Sequence, residues 1–186
     1  MAKDLNKLTT DELGQLFPII VVDYNPDWPR LASIERKNII KNAGITFISR
    51  IEHIGSTAIP GLCAKPTIDF LLEILDIANC DLLINQLRKI GYHFIPKPEN
   101  PSPHMMFAKG YSENGITGQT FHIHVRYRGD WDEIVFRDYL IDNPKTALEY
   151  SELKRKLAVE FINDREKYTE HKTEFIKHCT QIARLK

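Results

Sequence analysis

The segment Thr67–Ile74, reading Thr-Ile-Asp-Phe-Leu-Leu-Glu-Ile, constrains the fold more than any other part of this 186-residue chain. Its β-branched and aromatic residues suit a strand, and both alternating faces are apolar except at Asp69 and Glu73. A strand that must hide both faces belongs in the middle of a sheet with helices packed above and below it. Asp69 then needs an account. A carboxylate in a largely buried strand is costly unless it is paired or meets a cation.

The rest of the chain supplies the cover. Residues 4–16 read as a short helix capped by Thr10, with Leu13 and Phe17 on one side, and residues 19–22 as an edge strand or extended arm. Asn25–Pro29 is a turn feeding a helix that carries Leu31, Ile34, Ile39 and Ile40, with Asp27 as its cap and Gly44 as its stop. Residues 46–54 alternate as a strand, 55–65 form a tight loop, 79–90 an amphipathic helix stopped by Gly91, and 92–95 a short strand. A proline-rich loop over 97–103 precedes two strands, 105–109 and 120–127, with a Gly-rich connection that predicts a hairpin. Beyond Gly129 helical periodicity takes over, in 131–142, 144–162 and 165–184. The pattern predicts an α/β (α+β) chain folded as a single domain. An N-terminal helical extension spans 1–18, a core with a mixed sheet spans 19–130, and helices over 131–186 pack on that core. Trp28 and Trp131 are expected to lock helices onto the sheet, with base stacking as the alternative.

Composition narrows the function. Hydrophobic residues at 42% are enough for a buried core. The 25 basic and 25 acidic residues balance, which argues against a general nucleic-acid binder, since those carry a basic excess. No stretch approaches the roughly 18 apolar residues of a bilayer span, and the polar N-terminal segment lacks the apolar run of a secretory leader. A cytoplasmic protein without membrane contact is expected. Cys63, Cys80 and Cys179 are odd in number and widely spaced, which argues against a zinc ribbon or disulfide framework and predicts reduced thiols.

The chemistry concentrates where the 46–54 strand ends. Gly55 permits close backbone approach, and Ser56 and Thr57 add the hydroxyl and N–H groups that hold phosphates. Twelve residues separate Ser56 from Asp69. A Gly-Ser turn, a spacer of this length and an acid on a strand resemble the nucleotidyltransferase signature. In that superfamily the turn positions a triphosphate, and strand acids hold two Mg²⁺ ions that activate the attacking hydroxyl and stabilise the leaving pyrophosphate. One position departs from the pattern. The second acid is expected two residues after the first, where this chain has Leu71. Glu73 shares the face of Asp69 but lies about 13 Å along the strand, too far to chelate the same ion. If Asp69 is instead the second acid, Thr67 stands where the first should be.

The run from His53 to Asp69, H-I-G-S-T-A-I-P-G-L-C-A-K-P-T-I-D, resembles the hallmark of the GrpB family. So do Tyr24–Trp28, the F-H-I-H-V of 121–125, the F-R-D-Y-L of 136–140, and Tyr168, Lys172 and Phe175-Ile176, in the same order. The resemblance covers roughly residues 20–184 and implies a nucleotidyltransferase-type sheet. Relatives fused to the enzyme that phosphorylates dephospho-coenzyme A imply a link to coenzyme A metabolism, an association rather than a mechanism.

His122 and His124 lie two apart on an expected strand and so share a face. The third acid of a nucleotidyltransferase comes from a comparable strand, and the pair can replace it. With His53 and Asp69 they would make a set of three imidazoles and a carboxylate, which suits Zn²⁺, Mn²⁺, Ni²⁺ or Fe²⁺ better than Mg²⁺. They can also donate to phosphate or act as a general base, or serve as hydrogen-bonded core and surface residues. His93, His104, His171 and His178 read as surface residues. Lys65 either reaches a phosphate or is a solvated loop lysine. Arg126, Arg128 and Lys109 supply positive charge if the hairpin lines the cleft. Arg137 either aims at the site or pairs with Asp138 or Asp142. The alternating charges Glu152, Lys154, Lys156 and Glu160 read as a solvated helix face.

The leading expectation is a metal-dependent nucleotidyltransferase. Gly55, Ser56, Thr57, Lys65, Arg126 and Arg137 would hold a nucleoside triphosphate. Asp69, His122 and His124 would be catalytic and, with His53, would bind a divalent metal (Mg²⁺ or Mn²⁺, or Zn²⁺). The acceptor would be a small molecule or a protein. The alternatives are a non-catalytic nucleotide-binding module and a metal-dependent hydrolase of a phosphorylated metabolite.

Overall fold

The computed structural model describes residues 9–44 and 48–186. The start of the 4–16 helix and residues 46–47 of the first expected strand lie outside the described residues. Five strands form one sheet: β1 (Ile48–Ile54), β2 (Thr67–Ile74), β3 (His93–Pro96), β4 (Met105–Ser112) and β5 (Gly115–Tyr127), in the order β1-β2-β5-β4-β3. The central pair, β2 and β5, is parallel, and the other pairs are antiparallel. Parallel neighbours need a long crossover, and here α3 (Cys80–Lys89), β3 and β4 supply it. The expected central strand is central: Ile68, Phe70, Leu71, Leu72 and Ile74 have no exposed surface.

The two faces of the sheet differ. Ile68, Phe70 and Leu72 share a face with Ile51, Phe107, Ile123 and Val125, and all pack with residues of α2 (Trp28–Ala43) and α3 in the main core. Trp28, 1% exposed, sits in that core as expected. At this side Glu35 accepts hydrogen bonds from Tyr92 Oη (3.0 Å) and Lys109 Nζ (2.8 Å). The other face carries a polar row around buried Leu71: Arg50 and Glu52 on β1, Asp69 and Glu73 on β2, His122, His124 and Arg126 on β5.

The helices α4 (Asp132–Asp142), α5 (Pro144–Glu160) and α6 (Arg165–Arg184) form a second apolar cluster. Phe136, Leu140, Ala147, Tyr150 and Cys179 close on Ile59 and Leu62 of the loop between β1 and β2. That loop opens with one 3₁₀ turn, Ser56–Ala58. The C-terminal helices are thus anchored on the segment that carries the Gly-Ser turn.

Several local expectations change. The cap of α1 (Thr10–Leu16) is Thr9, which forms a capping box with Glu12; the box needs an acid three residues after the cap, and Thr9 meets that spacing. Asp27 is the N-cap residue of α2 as expected, but its side chain makes no capping hydrogen bond and pairs instead with Arg30 at 3.1 Å. The arm at 19–22 contributes one bridge, Val22 to Ala64, because Ile19 packs on Leu157, Ala158 and Tyr168 of the helices. The hairpin is longer than expected, since the glycines of its presumed connection lie inside the ladder. Gly110, at φ +90°, sits where the register shifts, and a Cβ there would come 2.7 Å from the Gln119 carbonyl oxygen. His93, His104, His171 and His178 are exposed as expected. No helix among the described residues is long and apolar enough to cross a membrane.

Candidate functional site

Strand register builds the centre of the site. Asp69 pairs with His122 across the parallel β2–β5 ladder, and His124 pairs with Leu71, one pleat further on the same face. His122 Nδ1 lies 3.1 Å and His124 Nε2 3.5 Å from Asp69 Oδ1. Ligand atoms of all three residues lie within 4.8 Å of one another. Burial works against the Asp69 carboxylate, but hydrogen bonds and positive charge from His122 and His124 outweigh it and hold Asp69 well below the usual carboxylate range. Burial lowers the His122 imidazole, with Asp69 opposing.

Tyr111 on β4 completes this group. Its ring stacks on His122 with centroids 5.6 Å apart, and its hydroxyl lies 2.9 Å from Nε2. When Nδ1 donates to Asp69, Nε2 accepts from the Tyr111 hydroxyl. When Nδ1 is unprotonated and ligates a cation, Nε2 carries the proton and can donate to the same oxygen, so either tautomer is held. Outer partners of this kind orient ligands and tune affinity. If Asp69, His122 and His124 hold a divalent cation, Tyr111→Phe is expected to lower its affinity about 10–100-fold, read by calorimetric titration; an unchanged affinity would count against this role for Tyr111.

His53 does not join the group. It pairs with Phe70, so strand alternation turns it to the apolar face, where its ring lies 6.1 Å from that of Phe70. Its Nε2 donates to Thr57 Oγ1 at 2.9 Å, and Thr57 donates to the Thr67 carbonyl at 3.2 Å. Burial drives His53 down to about 4, so it is neutral at ordinary pH. His53 and buried Thr57 therefore brace the loop from behind. Gly55 lies against the Asp69 carboxylate: a Cβ at this position, φ +71°, would meet Asp69 Oδ2 at 2.8 Å.

The expected anion-binding arginines are committed elsewhere. Arg126 is 3% exposed and donates to Glu133 Oε1 at 2.9 Å, with Trp131 over its guanidinium. Arg137 ties α4 to β1 through Glu52 (3.0 Å) and the His53 carbonyl (2.8 Å), and also binds Asp138. Lys109 serves Glu35 on the far face, and Arg128 is exposed beyond the strand. Glu73 takes two hydrogen bonds from Arg50, at 3.1 and 2.7 Å, and one from the Gly129 N–H, so it is paired and unavailable to a metal.

Lys65 is where the site continues, joined by cations the sequence reading missed. Lys154, expected on a solvated face, is 2% exposed. It donates to Ser56 Oγ at 3.0 Å and to the Cys63 carbonyl. The spacing held a clue: Ala147, Tyr150, Ser151, Leu157 and Ala158 are the buried stripe of α5, and Lys154 falls on it. Lys65 Nζ and Lys172 Nζ lie 5.6 and 4.3 Å from the ring centre of buried Tyr168. Burial, aided by Arg165 and by Lys172, lowers Lys65 to about 7, with Asp69 opposing. Burial lowers Lys172 to about 8, with Asp69 opposing and Arg165 adding repulsion.

A family model described as GrpB protein matches residues 18–182, a span that contains all five strands and the three C-terminal helices up to Ile182. The chain belongs to the GrpB family. The glutamate-rich protein GrpB of Alkalihalophilus pseudofirmus is 34% identical over 162 residues, covering 85% of this chain and 91% of that protein. The crystal structure of the conserved protein GrpB from Enterococcus faecalis matches at TM-score 0.76 and 32% identity, covering 88% of this chain and 96% of that one. The five-stranded sheet with flanking helices is therefore a GrpB architecture. The chain is also 26% identical over 172 residues to a dephospho-CoA kinase of Mycolicibacterium paratuberculosis, covering 81% of this chain and 42% of the kinase.

Proposed function

We propose that this GrpB-family protein binds one divalent cation through Asp69, His122 and His124 and transfers a nucleotidyl group from a nucleoside triphosphate to a small-molecule or protein acceptor. The observation that carries this reading is the convergence of one carboxylate and two imidazoles from the paired central strands. The donor set fits an ion. Ligands at about 2.0–2.2 Å from a common metal lie about 3–3.5 Å apart, the spacing both imidazole nitrogens keep from Asp69 Oδ1. Two nitrogens favour Mn²⁺ or Zn²⁺ over Mg²⁺. A bound cation would polarise a phosphoryl oxygen and offset negative charge at the reacting phosphate.

The chain's own residues do the rest. Gly55 lets the loop close onto Asp69, and Lys154 holds Ser56 in place. Lys65 and Lys172 bring positive charge toward Asp69 from the loop and from α6. Among the described residues no second carboxylate joins the group, since the position two residues after Asp69 is Leu71 and Glu73 is held by Arg50. That deficit and the imidazole donors favour one other reading, a single-metal hydrolase of a phosphorylated metabolite. The kinase match makes coenzyme A-type metabolites the first acceptors or substrates to try.

A thermal-shift screen of wild type and Asp69→Ala, with nucleoside triphosphates and Mn²⁺, Zn²⁺ or Mg²⁺, tests the proposal. Ligand at about 100 times Kd should add roughly 2.7 kcal/mol of stability. The expected result is a metal-dependent nucleotide shift that Asp69→Ala abolishes, with pyrophosphate released only when an acceptor is present. Phosphate release without an acceptor selects the hydrolase. Nucleotide binding indifferent to metal and to Asp69, without turnover, selects a non-catalytic binding module.

A further inference from the structure

We infer that Lys65 and Lys172, which both lie over the Tyr168 ring, form with Arg165 of the same helix as Tyr168 a binding site for a phosphate-type polyanion that binds there without a metal. This deepens the reading above by naming what sits beside Asp69, His122 and His124, and it rests on that reading only for the ligand's second point of attachment.

The cluster joins two distant parts of the chain. Lys65 comes from the loop ahead of β2, while Arg165, Tyr168 and Lys172 lie on the first two turns of α6. Tyr168 is 1% exposed and forms the floor on which both ammonium groups rest. Among the described residues, no carboxylate makes an ion pair with Lys65, Arg165, Lys172 or the nearby Lys154. Elsewhere on the protein the half-buried and buried cations are matched: Arg50 by Glu73, Lys109 by Glu35, Arg126 by Glu133 and Arg137 by Glu52. Unmatched cations crowded out of water are costly, and an anion relieves that cost. The one carboxylate whose charge reaches both lysines is Asp69, and a single charge that also serves two imidazoles leaves the cluster positive.

The chemistry of the cluster selects the ligand. Ammonium groups act as point charges with rotatable donors, which match the tetrahedral oxygens of phosphate, whereas planar carboxylates favour the arginine fork. Several cations and one opposing carboxylate call for more than one negative charge, as in a diphosphate. The start of α6 is not itself the receptor, because Asp164 already caps it through the Lys167 N–H.

Inorganic pyrophosphate, titrated calorimetrically in metal-free buffer at near-physiological salt, is the probe. The wild type should bind it. Lys172→Gln and Lys65→Gln should each weaken binding at least about tenfold, the size of a lost charge-assisted hydrogen bond, while Lys156→Gln on the exposed face of α5 should not. Asp69→Asn should bind as tightly as the wild type or more tightly, since it removes an opposing charge. Circular dichroism checks that each variant is folded. Absence of binding in metal-free buffer overturns the inference, as does an equal loss from Lys156→Gln. Loss of binding in Asp69→Asn overturns it too, because the anion would then depend on the Asp69 carboxylate rather than on the cations alone. If the metal proposal alone is wrong, the wild type binds no cation but still binds pyrophosphate.

Discussion

Gly55→Val is expected to abolish divalent-metal binding and to destabilise the fold by more than the backbone strain alone. With φ +71° and ψ −174°, Gly55 occupies a region that side chains essentially never enter, at a cost of about 1–3 kcal/mol. The added carbon would also lie 2.8 Å from Asp69 Oδ2. Either the loop retreats or the carboxylate turns away from His122 and His124, and both outcomes dismantle the donor set. Denaturant unfolding without metal would read the strain, and titration with Mn²⁺ or Zn²⁺ would read the lost ligands. A variant that binds metal like the wild type would show that Asp69 is not positioned by this contact.

Lys154→Met is expected to reverse part of the pH dependence of stability. Burial lowers Lys154 to about 7 from an ordinary value of 10.5. Between those two values the unfolded chain holds a proton that the folded chain has released. Stability therefore rises with pH across that window, by up to about 1.4 kcal/mol per pH unit for one such group. Below about pH 7 both states are protonated, and the fold carries the full cost of enclosing an ammonium group. Methionine fills similar volume without that charge. The variant should gain stability over the wild type toward acid pH and lose the advantage as pH rises, with a slope shallower by about 1.4 kcal/mol per pH unit. Equal slopes for the two proteins in chemical denaturation would mean that Lys154 keeps its charge in the fold.

The convergence of Asp69, His122 and His124 is legible in the sequence because local periodicity governs it. Asp69 interrupts an apolar strand, and a two-residue repeat is enough to put His122 and His124 on one face. What spacing could not supply was the register between strands. His53 falls opposite Phe70 in an antiparallel pair, and that single pairing sends it to the wrong face. Lys109 alternates away for the same reason. Arg126 is on the correct face but four residues past His122, beside Glu133. Arg137 shows a different difficulty: its partner Glu52 lies 85 residues away, and no local pattern reveals such a match. Lys154 was misread because its neighbours in sequence are charged, although its neighbours along the helix stripe are buried. For Lys172 the four-residue step from Tyr168 was legible, but not the loop lysine that meets it.

The parallel pairing of β2 with β5 also governs when the site can exist. Asp69 and His122 are separated by 53 residues, and the crossover through α3, β3 and β4 must be laid down before they can meet. Contacts this distant in sequence cost loop-closure entropy and form slowly. A ribosome-bound chain that has emitted only β2 would hold half a ligand set, with little hold on a cation. Metal capture would then mark the completion of the sheet, favouring the finished topology over every partly threaded one.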